Sequence, residues 1–198
     1  MLKTGITGGI GSGKTTVCKI FEILGIPVYY ADDRAKYLMV NDKDLVKNIV
    51  SVFGEKSYLK NGELNRKYIA DIAFKNKRKL EELNKAVHPA VKRDFDNWVN
   101  EQKAPYLIKE AALLFETGRY KDLDLNILVS APLDIRIKRV MLRDNIDKES
   151  VLARVNNQMP EEDKMKLADF IIYNDERHFL IQQVLDLDKK LRKLNAKV

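Results

Sequence analysis

Short apolar runs alternate along this chain with longer stretches in which apolar residues recur every three or four positions. The apolar runs occupy residues 2–7, 26–30, 106–108, 125–129 and 170–173. They are too apolar to alternate as a strand with one wet face would, so each reads as a strand buried on both sides. Helical spacing separates most of them, as in 16–24, where Val17, Ile20, Phe21 and Leu24 share a face. That order predicts an α/β fold of three layers, with a parallel five-stranded sheet covered by helices on both faces.

Two stretches exceed what a minimal sheet requires. Residues 33–100 are polar and helical in pattern and carry little strand signal, so they read as a helical insertion that caps the carboxyl edge of the sheet and holds a second substrate. Inside it, Pro89 restricts His88 to extended geometry and marks a helix boundary there. Residues 135–160 carry Arg136, Arg139, Arg143 and Arg154 in a basic helical pattern of the kind that forms a solvated face. Arg139 and Arg143 stand four residues apart on one face just after the fourth strand, where a lid closing over a triphosphate brings them in.

The chemistry starts between the first strand and the first helix. Gly8-Gly9-Ile10-Gly11-Ser12-Gly13-Lys14-Thr15 fits the phosphate-loop pattern G-x-x-x-x-G-K-[ST] without a mismatch, in the strand-to-helix setting that the pattern requires. Its glycines remove Cβ atoms that would keep backbone N–H groups from closing around phosphate oxygens. The helix N-terminus adds further N–H groups and the positive end of its dipole. Lys14 then reaches the β- and γ-phosphates, and the Thr15 hydroxyl is placed to ligand the Mg²⁺ that bridges them.

Two acidic positions follow later strands. Asp32 and Asp33 come directly after the second strand, where a phosphoryl acceptor must sit, so Asp32 is the candidate general base. Capping of the next helix is the alternative role for either carboxylate. Glu110, after the third strand, stands where such enzymes place an acidic residue near Mg²⁺, with a strand-end salt bridge as the alternative.

Composition narrows the setting. The 198 residues suffice for one domain, and a 45% hydrophobic, 33% charged makeup is that of a soluble globular protein. No apolar run approaches the roughly 18 residues of a membrane helix, and no signal peptide is expected. One cysteine, Cys18, permits no internal disulfide, which fits a reducing cytoplasm, and it reads as core packing. The net charge of +7 suits a polyphosphate ligand. The lysines are too dispersed for a nucleic-acid surface, so neither nucleic acid nor membrane is an expected partner. The basic tail 188–197 reads as the solvated end of a terminal helix.

Assembled in order, these residues resemble the dephospho-coenzyme A kinase family. The likeness runs from the segment 7–16 through Ala31-Asp32, Val87-His88-Pro89, Leu113-Leu114-Phe115-Glu116, Arg139 with Arg143-Asp144, and Ala153-Arg154 with Gln158, to Ala168-Asp169 and Asn174. It implies a single phosphate-loop kinase domain over 1–198, monomeric or weakly oligomeric, that phosphorylates the ribose 3′-hydroxyl of dephospho-coenzyme A with ATP and Mg²⁺. It further implies that Gly11, Ser12, Gly13, Lys14, Thr15 and Thr16 bind ATP, with Arg139 near the adenine, Arg143 near the phosphates and Asn174 beside the nucleotide. Asp32 matches the family's general base, and His88, Leu114 and Glu116 match regions that shape the acceptor site. The chain departs from the family where Tyr30 replaces an aspartate, Ala112 a proline, Glu110 an aspartate, Thr15 a serine and Arg136 a glutamine. Another small-molecule kinase acting on a nucleoside or nucleotide would share the loop and lid but differ in 33–100. A GTP-dependent switch would need N-K-x-D where this chain has Tyr173-Asn174-Asp175-Glu176.

Overall fold

A computed structural model describes residues 1–196, apart from the side chains of Phe74 and Lys77. Lys197, at the end of the predicted basic tail, lies outside the described residues. The chain divides into two compact units, the first running from residue 1 to Tyr30 and from Gln102 onward, the second spanning Ala31–Glu101.

The first unit holds the sheet. Its strands are β1 (Leu2–Thr7), β2 (Val28–Tyr30), β3 (Tyr106–Glu110), β4 (Leu125–Ser130) and β5 (Phe170–Tyr173), all parallel, in the order β2-β3-β1-β4-β5. The predicted second strand starts two residues early. Pro27 has no N–H to give to a ladder, and only its carbonyl joins, accepting from Ile108 N at 3.0 Å.

Why the runs do not alternate is visible in their burial. Leu2, Ile6, Tyr106, Ile108, Ile127, Val129 and Ile172 face one side and pack with Val17, Cys18 and Phe21 of α1 (Lys14–Ile23) and Val184, Leu187 and Leu191 of the C-terminal helix Leu180–Asn195. The alternate residues, Leu107, Lys109 and Leu128 among them, are buried on the other side. There Gly5 leaves room for Leu114, whose Cδ2 comes within 2.6 Å of where a Cβ on Gly5 would stand. The predicted solvated tail is therefore only half solvated, because Asp188 and Leu191 turn inward.

The second unit is helical: α2 (Ala31–Asn41), α3 (Lys43–Phe53), α4 (Arg66–Lys75) and α5 (Lys77–Glu101). The helix boundary expected at His88–Pro89 is absent, since α5 runs through the proline and His88 is helical. A proline inside a helix lacks one N–H and crowds the carbonyl four residues back, which ordinarily ends the helix. Here Val87, Ala90, Val91 and Phe95 are buried on both sides of the proline, so packing carries the helix through it. Pro89 and Lys85 are exposed, which leaves the crowded carbonyl to water.

The first unit continues after β4 with α6 (Leu133–Asp144), α7 (Lys148–Asn156) and α8 (Glu161–Leu167), followed after β5 by α9 (Leu180–Asn195). No helix among the described residues is long and apolar enough to cross a membrane.

Candidate active site

The phosphate loop joins β1 to α1. Gly11 (φ +80°) and Gly13 (φ +92°) occupy the left-handed region, which turns successive amides inward at small steric cost only for glycine. Gly13 is the N-cap of α1, with no side-chain capping bond and no acidic residue in the first turn. By contrast Asp42, Asn65 and Asp147 cap α3, α4 and α7 with their side chains. The start of α1, with Lys14 in its first turn, therefore has neither a side-chain cap nor a carboxylate to compete with an anion. Its Nζ donates to the Gly8 carbonyl at 3.0 Å. Thr15 and Thr16 are exposed in that first turn, while Ser12 is buried.

The missing Cβ atoms have a second role that the motif does not announce. A Cβ on Gly8 would meet the Val129 carbonyl, one on Gly9 the Arg136 guanidinium, and one on Gly13 the Asn174 amide. At Gly11 the nearest atom would be the Arg136 carbonyl, 2.5 Å away. The glycines therefore let the loop nestle against β4, α6 and the end of β5 as well as around a phosphate. Arg136, read from sequence as part of a solvated basic face, is instead 6% exposed behind this loop.

Asn174 and Arg139 complete a connected group with the loop. Asn174 Nδ2 donates to the Ser12 carbonyl at 2.8 Å, and its backbone N–H donates to the Ser130 carbonyl at 2.8 Å. Arg139 reaches across from α6, donating to the Asn174 carbonyl at 3.0 Å and pairing with Glu176 at 3.3 Å. Arg143 lies one turn further on and pairs with Asp144 at 2.7 Å. Arg154 of α7 shares that carboxylate at 2.8 Å. The two guanidinium groups hold Asp144 below the usual carboxylate range, and the hydrogen bond to Asp144 raises Arg143 further.

Glu110 ends β3 and is 8% exposed. Burial of Cys18, and then the charge of Glu110, push its thiol up, so Cys18 is a neutral core side chain, as the sequence indicates. Tyr30, in the place of the family's aspartate, packs against the core beside α1 and hydrogen-bonds Glu22; burial raises its phenol first and that contact adds to it. Leu114 and Phe115 are 1% and 3% exposed, and Leu113 is the exposed member of its run at 45%. Glu116 accepts from Met159 N at 3.0 Å and pairs at 2.9 Å with Lys164, which is 1% exposed. The fully buried lysine has no local signature, because its partner comes from a distant segment.

Asp32 and His88 belong to the second unit. Asp32 and Asp33 occupy the first turn of α2, where carboxylates suit the helix dipole, and Asp33 pairs with Lys36 at 2.7 Å. Arg34, one residue on, is tied to Asp94 of α5 by a bidentate pair with an Nε bond of 2.8 Å. His88 lies half-buried midway along α5.

Comparison with known proteins places this arrangement. The family model described as dephospho-CoA kinase matches residues 2–179. The dephospho-CoA kinase of Bacteroides fragilis is 36% identical over 187 residues, spanning 94% of this chain and 91% of the relative. Among solved structures, TT1252 from Thermus thermophilus superposes with a TM-score of 0.81 at 34% identity, covering 100% of this chain and 97% of that one. Dephospho-CoA kinase from Campylobacter jejuni gives 0.70 at 29% identity, covering 98% of each chain. A phosphate loop of complete pattern, the arginine and asparagine attached to it, and a match that takes in both units lead to one assignment: the chain belongs to the dephospho-CoA kinase family.

Proposed function

We propose that this chain transfers the γ-phosphoryl group of ATP to the ribose 3′-hydroxyl of dephospho-coenzyme A, giving coenzyme A and ADP. The observation that carries this reading is the extent of the family match, residues 2–179, which includes the whole helical second unit. A phosphate loop alone would identify only a nucleoside triphosphate.

Phosphoryl transfer requires little covalent help, so the residues act by placement and charge. The amides of Gly11–Thr16 and the Lys14 ammonium bind the β- and γ-phosphates. Arg139 and Asn174 hold the base end of the nucleotide, and Arg143 exchanges Asp144 for phosphate oxygens as residues 135–160 act as a lid. Asp32 accepts the proton of the acceptor hydroxyl, and the unit that bears it, with His88, binds the acceptor. Leu114 and Glu116 serve the acceptor through the segment after β3, Leu114 by packing against Gly5 and Glu116 by fastening the Met159 turn. No group of three or more His, Cys, Asp and Glu side chains able to hold a metal occurs among the described residues. Mg²⁺ uses one or two protein oxygens beside phosphates and water, and the exposed Thr15 hydroxyl is a donor of that kind. When bound, Mg²⁺ would neutralise charge on the β- and γ-phosphates. A reducing cytoplasm suits a chain whose one thiol is buried.

ADP release from ATP and Mg²⁺, measured with dephospho-coenzyme A, nucleosides, nucleoside monophosphates or water alone as acceptor, tests this reading. Turnover should depend on dephospho-coenzyme A. Faster turnover with a nucleoside or nucleotide would replace it with the general nucleotide-kinase alternative.

A further inference from the structure

The turn after α7 reaches back to the phosphate loop. Gln158 Oε1 accepts the backbone N–H of Ile10 at 2.8 Å. Glu161, the first residue of α8, places Oε2 3.5 Å from where a Cβ on Gly9 would stand. The same turn is fastened from the other side, because Glu116 accepts the Met159 N–H at 3.0 Å and pairs with buried Lys164 at 2.9 Å. Neighbouring residues of one turn thus grip two different segments: Gln158 the phosphate loop, Met159 the segment after β3.

Ile10 sits inside the loop pattern, yet its N–H is taken by protein. Glycines surround it, and glycine loses more backbone freedom on ordering than any other residue. An amide fixed by protein before nucleotide arrives removes part of that ordering from the binding step. We propose that Gln158 is a positioning residue for the donor phosphates: it sets the shape of the phosphate loop through Ile10 N–H, and Glu116 with Lys164 fixes the turn that presents it. Glu116 therefore acts on the loop through this turn. The far end of the lid segment and the loop share one hydrogen bond, so displacement of α7 is felt at the loop.

This inference rests on the reading of the loop as the ATP site, and the test separates the two. Gln158→Met keeps length and apolar bulk but removes the acceptor; Gln158→Glu keeps an acceptor oxygen at the same reach. Gln158 is only half-buried, so both variants should fold. Amide exchange at Ile10 in the nucleotide-free protein is measured together with KM and kcat for ATP. In Gln158→Met, Ile10 should exchange about threefold to tenfold faster and KM for ATP should rise by a similar factor, the size that loss of one hydrogen bond carries. Its kcat should stay within about twofold of the parent, and Gln158→Glu should keep Ile10 protected. Unchanged exchange at Ile10, a fall in kcat at constant KM, or a Gln158→Glu that exchanges like Gln158→Met would each overturn the proposal. Lys14→Ala is the control. If it is crippled while Gln158→Met is normal, only this inference fails; if it turns over ATP normally, the donor-site reading fails first.

Discussion

Asp32 and Asp33 stand side by side in the first turn of α2. Asp33 is already engaged with Lys36, three residues on, a pairing that helices favour. If Asp32 is the base, Asp32→Asn keeps the size of the side chain but not its ability to take a proton. Its kcat should fall by roughly 10²–10⁴-fold while ATP binding without acceptor is nearly unchanged, with Asp33→Asn close to the parent. Steady-state kinetics beside calorimetric ATP binding measures both halves. A crippled Asp33→Asn with an active Asp32→Asn would move the base by one residue. At this scale the phosphate loop was legible because its residues are contiguous and each answers to a local demand. The burial of Arg136 and Lys164 was not, because a basic residue declares its partner only when distant segments meet.

At the scale of elements, the strands were the clearest signal, since a parallel sheet buried on both faces leaves continuous apolar runs. The helices of the second unit were legible as helices but not in extent. Pro89 is a local stop signal, and the burial of Val87, Ala90, Val91 and Phe95 overrides it. That override has a measurable cost. Pro89→Ala restores a backbone donor and removes the crowding at Lys85, so the variant should be more stable by about 1–3 kcal/mol, the lower figures reflecting the greater freedom of its unfolded chain. Denaturant unfolding followed by helix signal is the check. An unchanged or less stable variant would mean that the proline ring contributes packing of its own.

At the scale of the molecule, α9 closes the core face of the sheet, and a polar link holds it there. Tyr106, buried in β3, donates to Asp188 Oδ1 at 2.6 Å. Arg192 donates to the same carboxylate at 2.8 Å and to the Leu24 carbonyl at 3.2 Å. Burial, and then the bond to Asp188, raise the phenol of Tyr106, so it stays a donor. Asp188→Leu should cost about 1–3 kcal/mol, chiefly through the stranded Tyr106 hydroxyl, because Arg192 is 42% exposed and regains water. Adding Tyr106→Phe should recover part of that loss, and a double variant less stable than Asp188→Leu alone would contradict the account. None of this was legible in the basic tail, where a buried aspartate among lysines reads as one more surface charge.

The function joins all three scales, and the position of the transferred phosphate tests it most directly. Wild-type protein is incubated with dephospho-coenzyme A, Mg²⁺ and ATP labelled at the γ-phosphate, and the label is located by phosphorus NMR and by release with a 3′-specific nucleotidase. A phosphomonoester should form on the ribose 3′-oxygen, with one ADP per phosphate, and be reduced at least about 100-fold in Lys14→Ala. Label recovered only as inorganic phosphate, or on a different hydroxyl, would contradict it.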